Sequence, residues 1–288
     1  MTTRRRAVND AMARFRAAGI ETARLDAQIL LCHALDVRRE ALISEPEQEM
    51  SAGESAKFAD LVRRRESREP VSHLLGQREF WSLPFRVNAD VLDPRSDSET
   101  LVAAALDAVP DRNAAIRVLD LGTGSGCLLL ALLRELPNAV GLGVDVSAEA
   151  LLVAADNAER LGLGGRARFR PGNWAEGISE RFHLIVSNPP YIPDAEIDRL
   201  APEVARFEPR LALSGGVDGL EAYRQLSNHA RPRLYESGTF AVEIGVDQAK
   251  AVTGLFEAKE LRLGQIGRDL AGIARCLVFR AEGRIAVN

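Results

Sequence analysis

The segment Ser187-Asn188-Pro189-Pro190-Tyr191 holds residues whose types and order can do chemistry. Two consecutive prolines have a fixed φ and no N–H, so this stretch is stiff and extended. It presents the Asn188 side-chain oxygen and the Pro189 carbonyl as acceptors. An –NH2 group held by both has its hydrogens occupied, and its lone pair can be aimed at an electrophilic carbon. An amide nitrogen is a poor nucleophile because that lone pair is delocalised. Pulling on both hydrogens favours pyramidal geometry and supports the positive charge that develops in attack. With an activated donor, alignment supplies much of the rest, about 7–11 kcal/mol at best. Tyr191 would pack on the planar acceptor or near a cation. The pattern suits any planar –NH2 acceptor, adenine included, and the bland alternative is a rigid loop with no chemistry.

A donor site is legible upstream. VLDLGTGSGC sets Gly122, Gly124 and Gly126 in a turn between a strand and a helix, with Thr123 and Ser125 between them. Glycine permits positive φ and close backbone approach, and the helix N-terminus offers free N–H groups. The spacing is G-x-G-x-G, not the G-x-G-x-x-G that fits a pyrophosphate. A purely structural glycine turn is the plainer reading. Asp145 ends the next strand, where a carboxylate can accept both hydroxyls of a ribose. Asn173 and Trp174 close the third strand, where an amide could meet an adenine edge and an indole its face. A nucleoside gripped without a pyrophosphate points to S-adenosylmethionine, with S-adenosylhomocysteine as product.

Alternating elements must position these residues. IRVLDLG, AVGLGVDV, ARFRPGN, FHLIVSN and TFAVEIG read as strands. CLLLALLREL, SAEALLVAADNAERLGL (capped by Ser147) and DQAKAVTGLFEAKE read as helices. RLGQIGRD and ARCLVFRAE lie too close for a helical crossover and should pair antiparallel. The alternation predicts a mostly parallel sheet with helices on both faces. Upstream, Val8 to about Arg68 reads as helices: Leu25, Ile29, Leu30 and Leu35 recur at helical spacing. KFADLVRRRESREP sets Phe58, Leu61 and Val62 on one side and stops at Pro70. His73 to Leu92, aromatic and β-branched around Gly76 and Pro84, suggests a hairpin bridging two domains. The expected boundaries are a helical domain over 1–72, a linker over 73–92 and a catalytic domain over 93–288.

Bulk properties narrow the partners. Lys+Arg 37 against Asp+Glu 41 leaves a net charge of −4, which argues against a surface that holds a long stretch of nucleic acid. Arg4-Arg5-Arg6 and Arg63-Arg64-Arg65 read as solvated helix faces, with partner contact as the alternative. Three scattered cysteines, Cys32, Cys127 and Cys276, suggest a reduced, cytoplasmic chain, and four unclustered histidines give a metal site no support. No signal core and no membrane-length apolar run is present, so neither export nor a membrane partner is expected.

On these motifs the sequence resembles the peptide chain release factor glutamine methyltransferases over nearly its whole length. RLDAQILLCHAL is similar to that family's amino-terminal domain and PVSHLLGQREFWSLPF to its linker. LDLGTGSGC, VDVSAEAL and SNPPYIP match its core, while FEPRLALSGGVDGLEAYR, EIGVDQ and RDLAGIAR resemble segments particular to it. The resemblance implies an α/β fold: a Rossmann-like, seven-stranded class I methyltransferase sheet with a small helical domain joined by a β-hairpin linker. It implies that the helical domain helps hold a release factor, and that the glutamine of a Gly-Gly-Gln loop is methylated. Gly122, Thr123, Gly124, Ser125, Gly126, Asp145, Trp174 and Asn188 would contact the cofactor, and Asn188, Pro189, Pro190 and Tyr191 would hold the glutamine. Two departures stand out. Pro94-Arg95-Ser96-Asp97-Ser98-Glu99 replaces the usual Pro-Arg-Pro-Asp-Thr-Glu, which would loosen a loop at the pocket, and Asn173 stands where Asp is frequent. Three rivals share parts of the pattern: a glutamine methyltransferase of a large-subunit ribosomal protein, an adenine methyltransferase on nucleic acid, and a non-catalytic module docking on the translation machinery. Labelled methyl on ribosomal protein, on nucleic acid, or no cofactor binding would respectively favour each.

Overall fold

The computed structural model describes residues 2–281, which fall into two compact units. One runs through Gln77 and takes in Ala201–Phe207; the other holds Arg78–Leu200 and resumes at Glu208.

The first unit contains α1 (Arg4–Ala17), α2 (Ala23–Leu35), α3 (Arg39–Ser44), α4 (Ala52–Glu66) and α5 (Val71–Leu75). Phe15, Leu30, Leu31, Phe58, Leu61 and Val62 meet in its core. A capping box starts α4: the Ser51 hydroxyl accepts from the Glu54 N–H, and Glu54 accepts from the Ser51 N–H at 2.7 Å. The helix therefore begins before the apolar run that the sequence pattern emphasises, and it ends at Glu66, ahead of Pro70.

Reading both arginine runs as solvated faces is corrected at one residue of each. Arg65 is 5% exposed and Arg4 is 7% exposed. Each helical residue rotates the side chain by about 100°, so a run of three cannot keep every member in water. Arg65 donates to Asp26 at 2.8 Å and to Glu203 at 2.9 Å, and Arg68 shares Glu203 at 2.7 Å. Arg4 donates to the Ala41 carbonyl at 3.2 Å and to Glu45 at 2.8 Å.

A two-stranded hairpin, β1 (Gln77–Phe80) and β2 (Leu83–Arg86), follows. Its turn residues Trp81 and Ser82 have φ of 52° and 56°, although neither is glycine. Tight two-residue turns demand that region. Here the Trp81 N–H donates to Glu99 at 2.8 Å and its indole N–H to Glu135 at 3.0 Å, which hold the turn in place.

The rest of the second unit runs α6 (Glu99–Asp107), β3 (Arg117–Leu121), α7 (Cys127–Glu135), β4 (Val140–Asp145), α8 (Ala148–Arg160), β5 (Ala167–Pro171) and β6 (Phe182–Ser187). Then come α9 (Asp194–Ile197), α10 (Pro202–Phe207, counted with the first unit), α11 (Glu221–Arg233), β7 (Leu234–Glu243), α12 (Ala249–Glu257), β8 (Leu261–Arg268) and β9 (Ala274–Ala281). Glu282, placed in the last strand by the sequence pattern, lies outside the described residues. Seven strands form one sheet in the order β5-β4-β3-β6-β7-β9-β8, with the β7–β9 and β8–β9 pairs antiparallel and the others parallel. The mostly parallel sheet with a terminal antiparallel pair is the one the alternation predicts. Its central strands are apolar on both faces because helices cover both: Val118 and Leu184 belong to one core, Leu119 and Ile185 to the other. From β3 the chain steps outward to β4 and β5, then returns to place β6 on the other side of β3. This reversal opens a crevice beyond the carboxyl ends of β3 and β6, where ligands bind in such sheets.

Candidate active site

The loops after β3 and β6 meet at that crevice. Gly122, Gly124 and Gly126 have φ of 74°, 53° and 80°, a region open to glycine. The Gly122 and Thr123 N–H groups both donate to the Val144 carbonyl, at 2.9 and 3.0 Å, which binds the loop to the end of β4. Asp145 then clamps it: one carboxylate oxygen accepts from the Gly124 N–H at 2.8 Å and the other from the Ser147 N–H at 3.0 Å. Ser147 caps α8 as its position suggests, accepting from the Ala150 N–H at 3.0 Å.

A cavity of about 530 Å³ lies over this loop, within the usual range for a small-molecule site. Gly122, Thr123, Gly124, Ser125, Asp145, Asn173, Trp174, Asn188 and Pro190 line it, so most residues singled out from sequence are brought together. Gly126, Pro189 and Tyr191 are not among its lining. A Cβ at Gly126 would stand 3.2 Å from the Ala154 Cβ and 3.3 Å from Leu130, so its place is the close approach of α7 and α8. The Trp174 indole N–H donates to Gln225 at 2.7 Å, fixing the ring beside Gly122. Asn173 follows β5 in a turn and donates to Glu176 at 3.0 Å, which leaves its side-chain oxygen to accept.

The acceptor loop is anchored from several directions. The Ser187 hydroxyl donates to the Leu121 carbonyl at 2.7 Å, tying the end of β6 to the end of β3. Asn188 donates from Nδ2 to the Ser98 hydroxyl at 3.2 Å. The Tyr191 ring is turned into the core, and its hydroxyl donates to Glu243 at 3.4 Å. Its phenol is pushed well above the usual range by burial first and by Glu243 second. The LALSGGVDG stretch wraps the same loop. Ile192 N–H donates to the Leu213 carbonyl at 3.0 Å, and Gly215 N–H returns a bond to the Ile192 carbonyl at 2.9 Å.

The segment with serine in place of proline borders the cavity through Pro94, Arg95 and Ser98. Its charged residues are each engaged: Arg95 with Glu208 at 2.7 Å, Asp97 with Arg275 at 2.9 Å, Glu99 with the Trp81 N–H at 2.8 Å. Burial pushes Glu208 up to about 7, against the opposing pull of Arg95.

The sequence pattern gives no individual role to Asp120, Glu243, Gln225 or Gln248, and it marks Ser98 only as part of the altered loop. Asp120 is 0% exposed beneath the glycine loop, where the Thr123 hydroxyl donates to it at 2.7 Å and its Oδ1 has no hydrogen bond among the described residues. Burial pushes it up to about 7; the Thr123 bond opposes this and the Asp145 charge reinforces it. A signal was present. VLDL and FAVE each set one carboxylate among apolar strand residues, and a buried charge without a local partner is costly enough to need a reason.

The sheet order, the glycine turn after its first strand and the acid at the end of its second define a class I methyltransferase. A release factor glutamine methyltransferase of Rhodospirillum rubrum is 47% identical over 267 residues, covering 93% of this chain and 82% of that protein. One from Caulobacter vibrioides is 48% identical over 246 residues, 85% of each chain. The chain belongs to the release factor glutamine methyltransferase family. Family models agree: residues 6–76 match the PrmC N-terminal domain and residues 93–206 the methyltransferase small domain. Among solved structures, the hMettl16 catalytic domain in complex with MAT2A 3'UTR hairpin 6 shares the fold, with a TM-score of 0.58 at 13% identity over 82% of this chain and 84% of that one. No helix among the described residues is long and apolar enough to cross a membrane.

Proposed function

We propose that this chain transfers a methyl group from S-adenosylmethionine to the side-chain amide nitrogen of the glutamine in the Gly-Gly-Gln motif of peptide chain release factors. It acts in the cytoplasm, without a metal and without holding nucleic acid stably. The observation that carries the chemistry is Asn188 at the cavity wall with Nδ2 already committed to Ser98. The atom left on that carboxamide is an acceptor, which an incoming –NH2 requires.

The residues present fit the cofactor. Asp120 is a fully buried carboxylate bonded to the cavity-lining Thr123, with no hydrogen bond to its Oδ1 among the described residues, and a cation bound nearby would favour its charged form. Asp145 would accept ribose hydroxyls, Asn173 would meet the adenine edge and Trp174 its face, with Thr123 and Ser125 closing the loop around the remainder. Bound there, S-adenosylmethionine supplies a methyl carbon already activated by its sulfonium. The chain's own part is alignment. The Asn188 oxygen and the Pro189 carbonyl hold the two amide hydrogens, Pro190 keeps the strip rigid, and Tyr191 braces it from the core side. The preorganised acceptors support positive charge developing on nitrogen. No side chain of the motif is a strong base, and water suffices to take the proton.

The test is incubation with labelled S-adenosylmethionine and purified release factor, followed by mass spectrometry of the Gly-Gly-Gln peptide. One added methyl on that glutamine is expected. Label on a ribosomal protein or on nucleic acid, with the release factor untouched, would overturn the substrate assignment.

A further inference from the structure

Trp174 holds a backbone conformation that its side chain disfavours. Its φ is 51°, in the left-handed region, where a bulky residue is strained. Such strain persists only where the surroundings over-determine it, and it gathers at ligand sites. Three contacts hold this residue. The indole edge lies against the glycine loop, so that a Cβ built on Gly122 would stand 3.5 Å from Cζ3. The ring packs on the core that contains Leu121 and Val144. Its Nε1–H donates to Gln225 Oε1 at 2.7 Å.

Gln225 is itself held. An indole N–H can only donate, so it demands the oxygen end of the carboxamide. The other end is then turned to Glu221, one helical turn earlier on α11, where Nε2 donates to Oε1 at 3.1 Å. A carboxylate accepts, so both partners select the same sense of the carboxamide. Reversal would set oxygen against carboxylate and N–H against N–H. The helix that carries the pair is a fixed reference. The Glu221 N–H donates to the Gly215 carbonyl at 3.0 Å, and the Gly215 N–H to the Ile192 carbonyl at 2.9 Å, next to the acceptor motif.

Packing of the helix does not require this polar pair. Ala222, Tyr223 and Leu226 are the buried residues of that stretch, while Gln225 is half-buried and Glu221 is exposed. Yet Trp174, Gln225 and Glu221 all line the cavity over the glycine loop. We infer that Gln225, oriented by Glu221, is a positioning residue that fixes the Trp174 ring as a preformed wall for the cofactor's planar base and so sets cofactor affinity. The purpose rests on the reading of this cavity as an S-adenosylmethionine site, whereas the ring's orientation depends on no ligand. A base gains from stacking only on a ring already placed for it, because ordering a mobile side chain at binding subtracts from affinity.

Two readouts test this, and one needs no ligand. The chain has two tryptophans, so protein labelled with ¹⁵N-tryptophan gives two indole N–H signals, and the one lost in Trp174→Phe belongs to Trp174. Trp81, whose indole donates to Glu135 at 3.0 Å, is the internal check on the fold. In Gln225→Leu the Trp174 proton should move upfield and exchange with solvent roughly 5–10-fold faster, as for one lost hydrogen bond, while the Trp81 signal stays. Calorimetric affinity for S-adenosylhomocysteine should fall roughly 5–20-fold, part of the worth of a base–aromatic stack. In turnover the loss should fall on KM for the cofactor, with kcat at saturation within about twofold. Gln225→Glu combined with Glu221→Gln exchanges donor and acceptor, keeps both hydrogen bonds, and should restore signal and affinity. Should Gln225→Leu disturb Trp81, Gln225→Ala, well suited to a helix, gives the same readouts. A Trp174 signal unmoved in these variants would overturn the orienting bond. A moved signal with unchanged affinity would overturn the positioning role. A wild type that binds no S-adenosylhomocysteine would overturn the cofactor reading itself, and the indole signal would still decide the orientation.

Discussion

Gln248 donates from Nε2 to the Tyr191 carbonyl at 3.0 Å, joining the turn after β7 to the end of the acceptor motif. Its other contacts make it a hub: Nε2 also donates to the Gly219 carbonyl at 3.3 Å, while Oε1 accepts from the Gly245 N–H at 2.9 Å and the Tyr223 hydroxyl at 3.2 Å. One carboxamide therefore serves three separate backbone segments and a buried phenol. Gln248→Ala should leave these groups unsatisfied, at about 1–3 kcal/mol for a buried polar group left without its partner. We expect a lower kcat with cofactor affinity held within twofold, since Gln248 lies outside the cavity lining. Calorimetric titration beside turnover checks this, and an equal loss in both quantities would count against a role confined to the acceptor loop.

Gly215 shows why the SGGVDG segment needs its glycines. An added Cβ would stand 2.8 Å from the Tyr191 Cα and 2.8 Å from the Gly219 Cα, both backbone atoms with no side-chain freedom to yield. Gly215→Ala should displace the acceptor motif and cut kcat by roughly 100-fold, the cost of about 1 Å of misplacement. Gly53→Ala, where nothing lies within 4 Å, is the control and should keep wild-type turnover. Retention of full activity in Gly215→Ala would show that the acceptor motif tolerates the shift.

These two residues also mark the limit of what the sequence makes legible. Strand and helix alternation, the Ser147 cap, the antiparallel terminal pair and the convergence of the glycine turn, Asp145 and Asn188 follow from local periodicity and turn chemistry. Partners far apart in sequence do not. Arg65 looks like one of three solvated arginines until Glu203 arrives from a helix 138 residues later. Trp81 and Ser82 carry no glycine signal, because Glu99 and Glu135 stabilise a turn that local propensity would reject. Gln248 reads as an ordinary polar residue at a helix start. Its meaning lies in three carbonyl and amide groups that only the fold brings to it.

Arg65 sits between Asp26 and Glu203 with its side chain 6% exposed and that of Asp26 7% exposed. Removing one member of such a buried network leaves uncompensated charge and costs about 3–5 kcal/mol. Arg65→Met should destabilise the amino-terminal unit by that order while leaving the sheet intact. Amide hydrogen exchange locates the effect: α2 and α4 should exchange faster, and β3 and β6 should not change. Arg63→Met is the surface comparison, since Arg63 is exposed and pairs, among the described residues, with Asp60. Slower or unaltered exchange in α2 would contradict a stabilising network.

Asp120 sets stability against ligand binding, and its pH dependence distinguishes the two. Burial raises its carboxyl to about 7, so the folded chain holds that proton at pH values where the unfolded chain has released it. Between the ordinary carboxylate range and pH 7 the folded state binds more protons, and stability falls as pH rises through that window and levels off above it. The penalty at pH 8 is about 4 kcal/mol. Asp120→Asn removes the titration and keeps an acceptor for the Thr123 hydroxyl. Without cofactor, its thermal midpoint should therefore exceed that of the wild type at pH 8 and match it near pH 4. With S-adenosylmethionine the order should reverse. A bound cation favours the charged carboxylate, so wild-type affinity should climb as pH rises through 7, while the asparagine variant should bind at least tenfold more weakly at pH 8 with no such climb. Thermal scans at both pH values and calorimetry across the range separate these effects. An asparagine variant less stable than wild type at pH 8 would mean that Asp120 is held by a partner stronger than Thr123. Equal cofactor affinity in the two proteins would mean that its buried charge plays no part in binding.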